Sequence, residues 1–92
     1  MASADLEAFV DEAIRLGAGR GYHPTVFIGM RNNHGTVSAI SKLVQTGDIQ
    51  SGFKKLNELG LRDWTIEAAV LKFSNEFSVD DIKCATWRLE QL

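Results

Sequence analysis

Glycines divide this sequence into short segments, and that spacing is the feature that most restricts its fold. Breaks fall at residues 17–21 and at Gly35, Gly47 and Gly60. Between them, apolar residues recur with the three- and four-residue spacing of amphipathic helices, and no stretch alternates with a period of two for long. Glycine commonly ends helices because it adopts the left-handed conformation without steric cost. The sequence therefore predicts an all-α fold, a compact bundle of about five or six short helices forming a single domain over residues 1–92.

Capping side chains and glycines predict where the helices begin and end. Ser3 caps the first helix and Gly17 ends it. Pro24 suits the first turn of the second helix, because the N–H that proline lacks is not needed there, and His34 ends that helix. The later helices are predicted to begin at Thr36, Asp48, Asp63 or Thr65, and Ser78. The side chains predicted to face inward are Leu6, Phe9, Val10, Ala13, Ile14, Val26, Phe27, Met30, Val37, Ile40, Leu43, Val44, Ile49, Phe53, Leu56, Ile66, Ala69, Val70, Phe73, Ile82, Ala85, Leu89 and Leu92.

Gly52 lies on the apolar face of the predicted fourth helix. A glycine in a helix costs about 1 kcal/mol relative to alanine. We expect it to permit the close approach of a neighbouring helix.

The sequence is typical of a soluble cytoplasmic protein. Its apolar runs extend over only a few residues, whereas a membrane span needs about 20. Residues 1–5 turn acidic at once and lack the basic segment of a secretory signal. The lone Cys84 cannot form an internal disulfide, which favours a reducing compartment. We therefore expect no membrane association.

The net charge of −2 is unevenly distributed. Residues 1–12 carry four acids and no base, residues 13–55 have a local net charge of +5, and residues 56–92 carry seven acids and four bases. Such asymmetry can mark a basic face for an anionic partner. Alternatively, the acidic ends pair with the basic middle in space, and the sequence leaves both interpretations open.

No set of residues with the spacing of a catalytic or metal site is present. His23, His34 and Cys84 are too few and too scattered for a structural zinc site, which takes four ligands. No nucleophile with a base and no assembled carboxylate pair is recognisable. We expect no catalytic residue, no metal ligand and no cofactor, and the protein is predicted not to be an enzyme.

Three features are candidates for binding. The loop over residues 17–21 contains Arg20, and its backbone N–H groups could converge on an anion, or the loop could be a simple connector. The predicted helices over residues 36–46 and 48–59 have the spacing of a helix-turn-helix, which any helical bundle can also produce. Its second helix offers Lys54 and Lys55, with Gln50 and Asn57, for contacts to DNA.

Trp87 is the third candidate. On the last helix it is rotated by about 140° from Ile82, so the apolar stripe is complete without it. An exposed tryptophan is typical of an interface hot spot. A buried one would need a second packing surface, such as the first helix, and the two alternatives remain open.

From Tyr22 to Leu89 the chain resembles a family of small bacterial helical modules whose function is not established. The motifs that carry the resemblance are Tyr22-His23-Pro24-Thr25-Val26-Phe27, His34-Gly35, Gly52-Phe53 with Leu56, Leu59 and Gly60, Asp63-Trp64-Thr65-Ile66-Glu67, and Phe77-Ser78-Val79-Asp80-Asp81. Members are stand-alone proteins or modules of longer ones, some associated with DNA or phage defence. The resemblance implies no catalytic or ligand residue. Trp64 and Trp87 depart from it, since the family usually has leucine and a polar residue at these positions.

These features favour a non-enzymatic helical interaction module that binds a macromolecular partner, preferably another protein or a second copy of itself. The candidate contact residues are Trp87, Arg20, Lys54 and Lys55. The alternative is a helix-turn-helix-like nucleic-acid-binding domain that uses the basic segment 13–55.

Overall fold

Six short α-helices and two 3₁₀ turns make up the structure, a computed structural model that describes residues 2–46 and 51–91. The helices are α1 (Ala4–Gly19), α2 (Thr25–His34), α3 (Thr36–Val44), α4 (Ser51–Glu58), α5 (Ile66–Lys72) and α6 (Val79–Glu90), and the 3₁₀ turns are Arg62–Trp64 and Ser74–Glu76. No strand occurs in the described residues. The radius of gyration is 11.9 Å, close to the roughly 12 Å expected of a compact chain of this length. The predicted all-α compact bundle is confirmed.

The first helix continues past Gly17, so the prediction that this glycine ends it is wrong. Gly21 has a φ of +80° and ends the helix instead. The Tyr22 N–H donates to Gly17 O at 2.9 Å and the Gly21 N–H donates to Ala18 O at 3.0 Å. This pair of bonds is the Schellman pattern of a helix C-terminus. Gly17 is buried because Tyr22 packs on it: an added Cβ would lie 3.3 Å from Tyr22 O.

Side-chain caps begin three of the helices where the sequence places them. Ser3 Oγ accepts from the Leu6 N–H, Thr65 Oγ1 accepts from the Ala68 N–H, and Ser78 begins α6 with a capping box. Of the two predicted starts of α5, Thr65 is therefore correct. His34 ends α2, as predicted, but Pro24 lies at the N-cap position, one residue before the first turn that it was predicted to occupy. The predicted cap at Asp48 falls outside the described residues.

Thr36 does not cap α3, because its side chain is used elsewhere. It is the first residue of that helix and is buried. Its Oγ1 accepts from Arg31 Nε at 2.9 Å and donates to the carboxylate of Glu7 on α1. The residue before α3 is Gly35, with a φ of +87°. A tertiary contact has here replaced the local cap that the sequence suggested.

The apolar core lies where α1, α3, α5 and α6 meet. The buried apolar residues are Leu6, Val10, Phe27, Ala39, Ile40, Val44, Phe53, Leu61, Ala69, Val70, Phe77 and Ala85. Val26 was predicted to face inward but is 72% exposed. Adjacent helical residues are about 100° apart, and Phe27 occupies the buried position. The predicted inward positions Ile49 and Leu92 lie outside the described residues.

Asp81 joins α6 to α3 as well as belonging to the capping box. It is 3% exposed and accepts hydrogen bonds from Gln45 Nε2 at 2.6 Å, Ser41 Oγ at 2.7 Å and the Ser78 N–H at 3.3 Å. Burial alone would raise the pKa of Asp81, but these hydrogen bonds outweigh burial and lower the pKa below its ordinary value. The α6 N-terminus is therefore anchored in a fixed orientation against α3.

Candidate functional site

Trp87 is 49% exposed on the outer side of α6, so the exposed alternative describes the structure. The buried side of the helix carries Asp81, Ala85 and Arg88. Val79, two turns before Trp87, is 66% exposed, and Lys83 between them is also exposed. Residues spaced by four drift about 40° per step, so Val79, Lys83 and Trp87 lie on one side of the helix. We call these three residues the α6 outer face.

Arg20 ties together the ends of two helices. Its Nη1 donates to Leu59 O, just after the end of α4, at 2.7 Å. The backbone N–H groups of Arg20, Gly21 and Tyr22 all donate to carbonyls of α1. These donors close the helix end and do not converge on an anion. The loop that contains Arg20 therefore connects α1 to α2 and is hydrogen-bonded to the residue that follows α4.

Acidic residues of α1 pair with basic residues of the middle segment. Arg31 Nη1 lies 2.8 Å from Asp11 Oδ1 and Arg31 Nη2 lies 3.1 Å from Glu7 Oε1. Arg15 Nε donates to Glu12 Oε1 at 3.0 Å within α1. These pairs neutralise part of the local charge of +5. For the acidic segment 1–12, these pairs fit the interpretation in which acidic residues pair with the basic middle in space.

Lys54 and Lys55 remain available on α4. Both are exposed, and within residues 2–46 and 51–91 neither forms an ion pair. Gly47 of the predicted turn and Gln50 of the predicted second helix lie outside the described residues. The structure therefore places two exposed lysines on one helix, and neither pairs with an acidic side chain of the described residues.

A cavity of about 310 Å³ opens between α1, α4 and α5. Apolar side chains form most of its walls, and the lining residues with aromatic rings are Phe9, Tyr22, His23, Phe27, Phe53 and Trp64. Phe9 stacks on Trp64, with ring centroids 4.9 Å apart and planes inclined by 19°, and Phe73 meets Phe9 edge-on at 5.7 Å. Such offset and edge-on pairs are favourable for aromatic quadrupoles. The stacked rings give one wall of the cavity a fixed shape.

Gly52 forms the opposite rim of this cavity against Tyr22. A Cβ at Gly52 would clash with Tyr22 Oη and would lie 3.3 Å from Tyr22 Cζ. A close approach was predicted at this glycine, but a tyrosine ring approaches it rather than a neighbouring helix. The lack of a side chain at Gly52 therefore makes room for the Tyr22 side chain.

A buried ion pair borders the cavity and was missed by sequence reasoning. Glu67, which lines the cavity, and Arg88 each have side chains that are 1% exposed, and Arg88 Nη1 lies 3.4 Å from Glu67 Oε2. Arg88 also donates through Nε to Val44 O at 3.0 Å and through Nη2 to Thr46 O at 2.5 Å, at the end of α3. Glu67 Oε1 accepts no hydrogen bond from the described residues.

Burial governs the electrostatics of this pair. It raises the pKa of Glu67, and the Glu67 backbone N–H and the Arg88 guanidinium oppose that rise without cancelling it. The pKa of Tyr22 is raised as well, first by burial and then by the negative charge of Glu67. The sequence contained a signal for the burial of Glu67 and Arg88, since Glu67 lies three residues before Val70 and Arg88 lies three residues after Ala85. Both charges therefore fall on apolar stripes.

No family model, curated protein or solved structure matches this chain. The resemblance to small bacterial helical modules stays a prediction. No group of three or more His, Cys, Asp or Glu residues with metal-binding geometry occurs among the described residues. No helix in the described ranges is long and apolar enough to cross a membrane.

Proposed function

We propose that this chain is a non-enzymatic protein-interaction module and that its partner contacts the α6 outer face, with Trp87 as the central anchor. The observation that carries the proposal is the exposure of Trp87 beside a complete apolar stripe. A second copy of this chain is the simplest partner. A cytoplasmic location belongs to the proposal and is supported by the free Cys84.

The surface around Trp87 supports this role energetically. Covering the exposed half of the indole would remove about 120 Å² from water, which is worth about 3 kcal/mol at roughly 25 cal/mol per Å². The exposed side chains of Lys83, Glu90 and Gln91 surround it with polar groups. An apolar anchor within a polar rim is the usual arrangement of a protein-protein hot spot.

The test is Trp87→Ala with Leu71→Ala as the matched control, because Leu71 is a second large apolar residue that is 40% exposed but lies on α5. Trp87→Ala should leave the free energy of unfolding within about 0.5 kcal/mol of the parent value. It should weaken self-association, or binding to a partner captured by the parent chain, by about 30-fold or more, which corresponds to 2 kcal/mol. Light scattering and sedimentation measure the first, and quantitative capture measures the second.

Two results would contradict the proposal. A large loss of stability in Trp87→Ala would mean that the indole serves packing within its own chain. Unchanged association in Trp87→Ala, or an equal loss in Leu71→Ala, would remove the α6 outer face as the contact surface.

Nucleic acid is the second candidate partner, in a helix-turn-helix-like mode that uses the basic segment 13–55. The observation that favours it is the pair of exposed lysines on α4, Lys54 and Lys55, which are not neutralised by other described residues. Phosphate contacts from such lysines carry no sequence information but provide affinity that falls with salt. Three other bases of this segment support it less, since Arg15, Arg20 and Arg31 already bind acidic or carbonyl oxygens.

A further inference from the structure

We propose that the aromatic cavity between α1, α4 and α5 binds a small, flat, neutral apolar molecule that donates one N–H or O–H hydrogen bond to Glu67. The cavity shares no residue with the α6 outer face. The proposed ligand site can therefore be tested independently of the proposed protein contact.

The size of the cavity sets the size of the ligand. Its volume is about 310 Å³, at the lower end of the range for small-molecule sites. An apolar cavity of about 150 Å³ engineered into another protein binds benzene. This cavity has about twice that volume, which corresponds to two fused rings.

The walls favour a planar ligand. Phe9 and Trp64 form a stacked pair along one side, and Tyr22 and Phe53 lie among the remaining rings. Flat rings packed against a ligand gain most when the ligand is also flat, since offset stacking then covers both faces.

Glu67 supplies the polar contact. Its side chain is 1% exposed and Oε2 faces Arg88, whereas Oε1 accepts no hydrogen bond from the described residues. A buried acceptor without a donor is rare, because it has lost its water without compensation. The hydroxyl of Thr65, also on the cavity wall, is already used: it donates to Arg62 O at 2.9 Å and accepts from the Ala68 N–H at 3.1 Å. Of the two polar side chains that α5 and its cap contribute to the cavity, Thr65 and Glu67, Glu67 is therefore the one with an unpaired buried polar atom.

The charge balance favours a neutral donor over a cation. The guanidinium of Arg88 already neutralises the carboxylate of Glu67, and both are removed from water. A cationic ligand would bring a second positive charge close to Arg88 and would have to be desolvated itself. A neutral N–H or O–H satisfies Oε1 without that cost.

Indole and benzothiophene are the matched probes, since the two bicyclic rings are nearly isosteric but only indole has an N–H donor. Titration of the parent chain followed by two-dimensional amide NMR should show saturable one-to-one binding of indole. The shifts should be concentrated around Phe9, Tyr22 and Phe53. Benzothiophene should bind at least tenfold more weakly, although it is the more apolar molecule.

Ala13→Leu should block the site, with Ala8→Leu as its control. Both alanines belong to α1, but Ala13 lines the cavity and Ala8 is exposed. Ala13→Leu should weaken indole binding more than tenfold, and Ala8→Leu should leave it unchanged. Absence of saturable indole binding, equal affinity for both probes, or indole binding that survives Ala13→Leu would each overturn the proposal. The comparison of the two probes uses the parent chain, so it decides the question even if Ala13→Leu does not fold.

Discussion

Replacing Arg88 by methionine should remove a large part of the stability of this chain. Methionine is apolar and overlays the arginine side chain about as far as Nε, so it keeps the packing of the aliphatic part and removes the guanidinium. The structure then leaves a buried carboxylate on Glu67 without its cation, and the carbonyls of Val44 and Thr46 lose their donors. The predicted loss of stability comes from leaving these buried groups unpaired, and does not measure the net contribution of the ion pair to the free energy of unfolding.

The expected loss is about 3–5 kcal/mol at pH 7, the usual cost of breaking a buried pair from one side. Each carbonyl that loses its hydrogen bond accounts for about 1 kcal/mol of such a loss. A chain of this length has a total stability of about 5–14 kcal/mol. The variant should therefore unfold at a much lower urea concentration and could approach the threshold of folding.

The loss of stability in Arg88→Met, relative to the parent chain, should become smaller as the pH falls. Burial raises the pKa of Glu67, so the folded chain binds the proton more readily than the unfolded chain does. The charged carboxylate is therefore unfavourable above the folded pKa, and this penalty disappears as the pH falls through the folded pKa towards the unfolded value of about 4.3. Without Arg88 the folded pKa of Glu67 rises further, and each additional pKa unit returns about 1.4 kcal/mol to the variant on acidification.

Urea unfolding at 25 °C, at pH 7 and pH 5, measures both effects. Arg15→Met is the control, because Arg15 forms an exposed pair with Glu12 and such pairs contribute little. A loss below about 1 kcal/mol in Arg88→Met at pH 7 would refute the reasoning, since breaking a buried pair from one side costs several times as much. A difference from the parent chain that does not narrow between pH 7 and pH 5 would refute the role of Glu67.

Two further predictions concern α4. Gly52→Ala should destabilise the chain by about 1–2 kcal/mol in urea unfolding although alanine favours helices, because the added Cβ displaces the hydroxyl of Tyr22. In a Tyr22→Phe background the same change should become neutral or stabilising, whereas a stabilising effect in the parent chain would contradict the contact. If nucleic acid is the partner, the parent chain should bind duplex DNA with an affinity that falls steeply with salt, and Lys54→Glu with Lys55→Glu should weaken binding to unrelated sequences alike in fluorescence anisotropy; absence of binding at low salt would exclude this candidate.

Local signals in the sequence predicted most helix boundaries. Ser3, Thr65 and Ser78 cap helices through bonds that span three residues, so the sequence contains both partners of each contact. Gly17 was assigned wrongly because Gly21 offers the same conformational freedom four residues later. In the structure the positive φ falls at Gly21, and Tyr22, the next residue, packs back on Gly17.

Of the candidate binding features, the sequence predicted one and missed the other. The exposure of Trp87 was one of two predicted alternatives, since its angle on α6 leaves the apolar stripe complete without it. The pairing of Glu67 with Arg88 could not be read in the same way. Helical spacing places each charge on a buried stripe, but the two residues belong to different helices and only the packing of α5 on α6 brings them together.

Stability alone does not explain why an ion pair lies beside an apolar cavity. Replacing both members of a buried pair by apolar residues of similar volume is often neutral or stabilising. Glu67→Met with Arg88→Met should therefore recover most of the stability that Arg88→Met loses, because no unpaired charge remains. If the pair serves packing only, this double variant should still bind indole and benzothiophene as the parent chain does. If Glu67 is the acceptor of the site, the double variant should fold stably, bind both probes with similar affinity and lose the preference for the N–H donor.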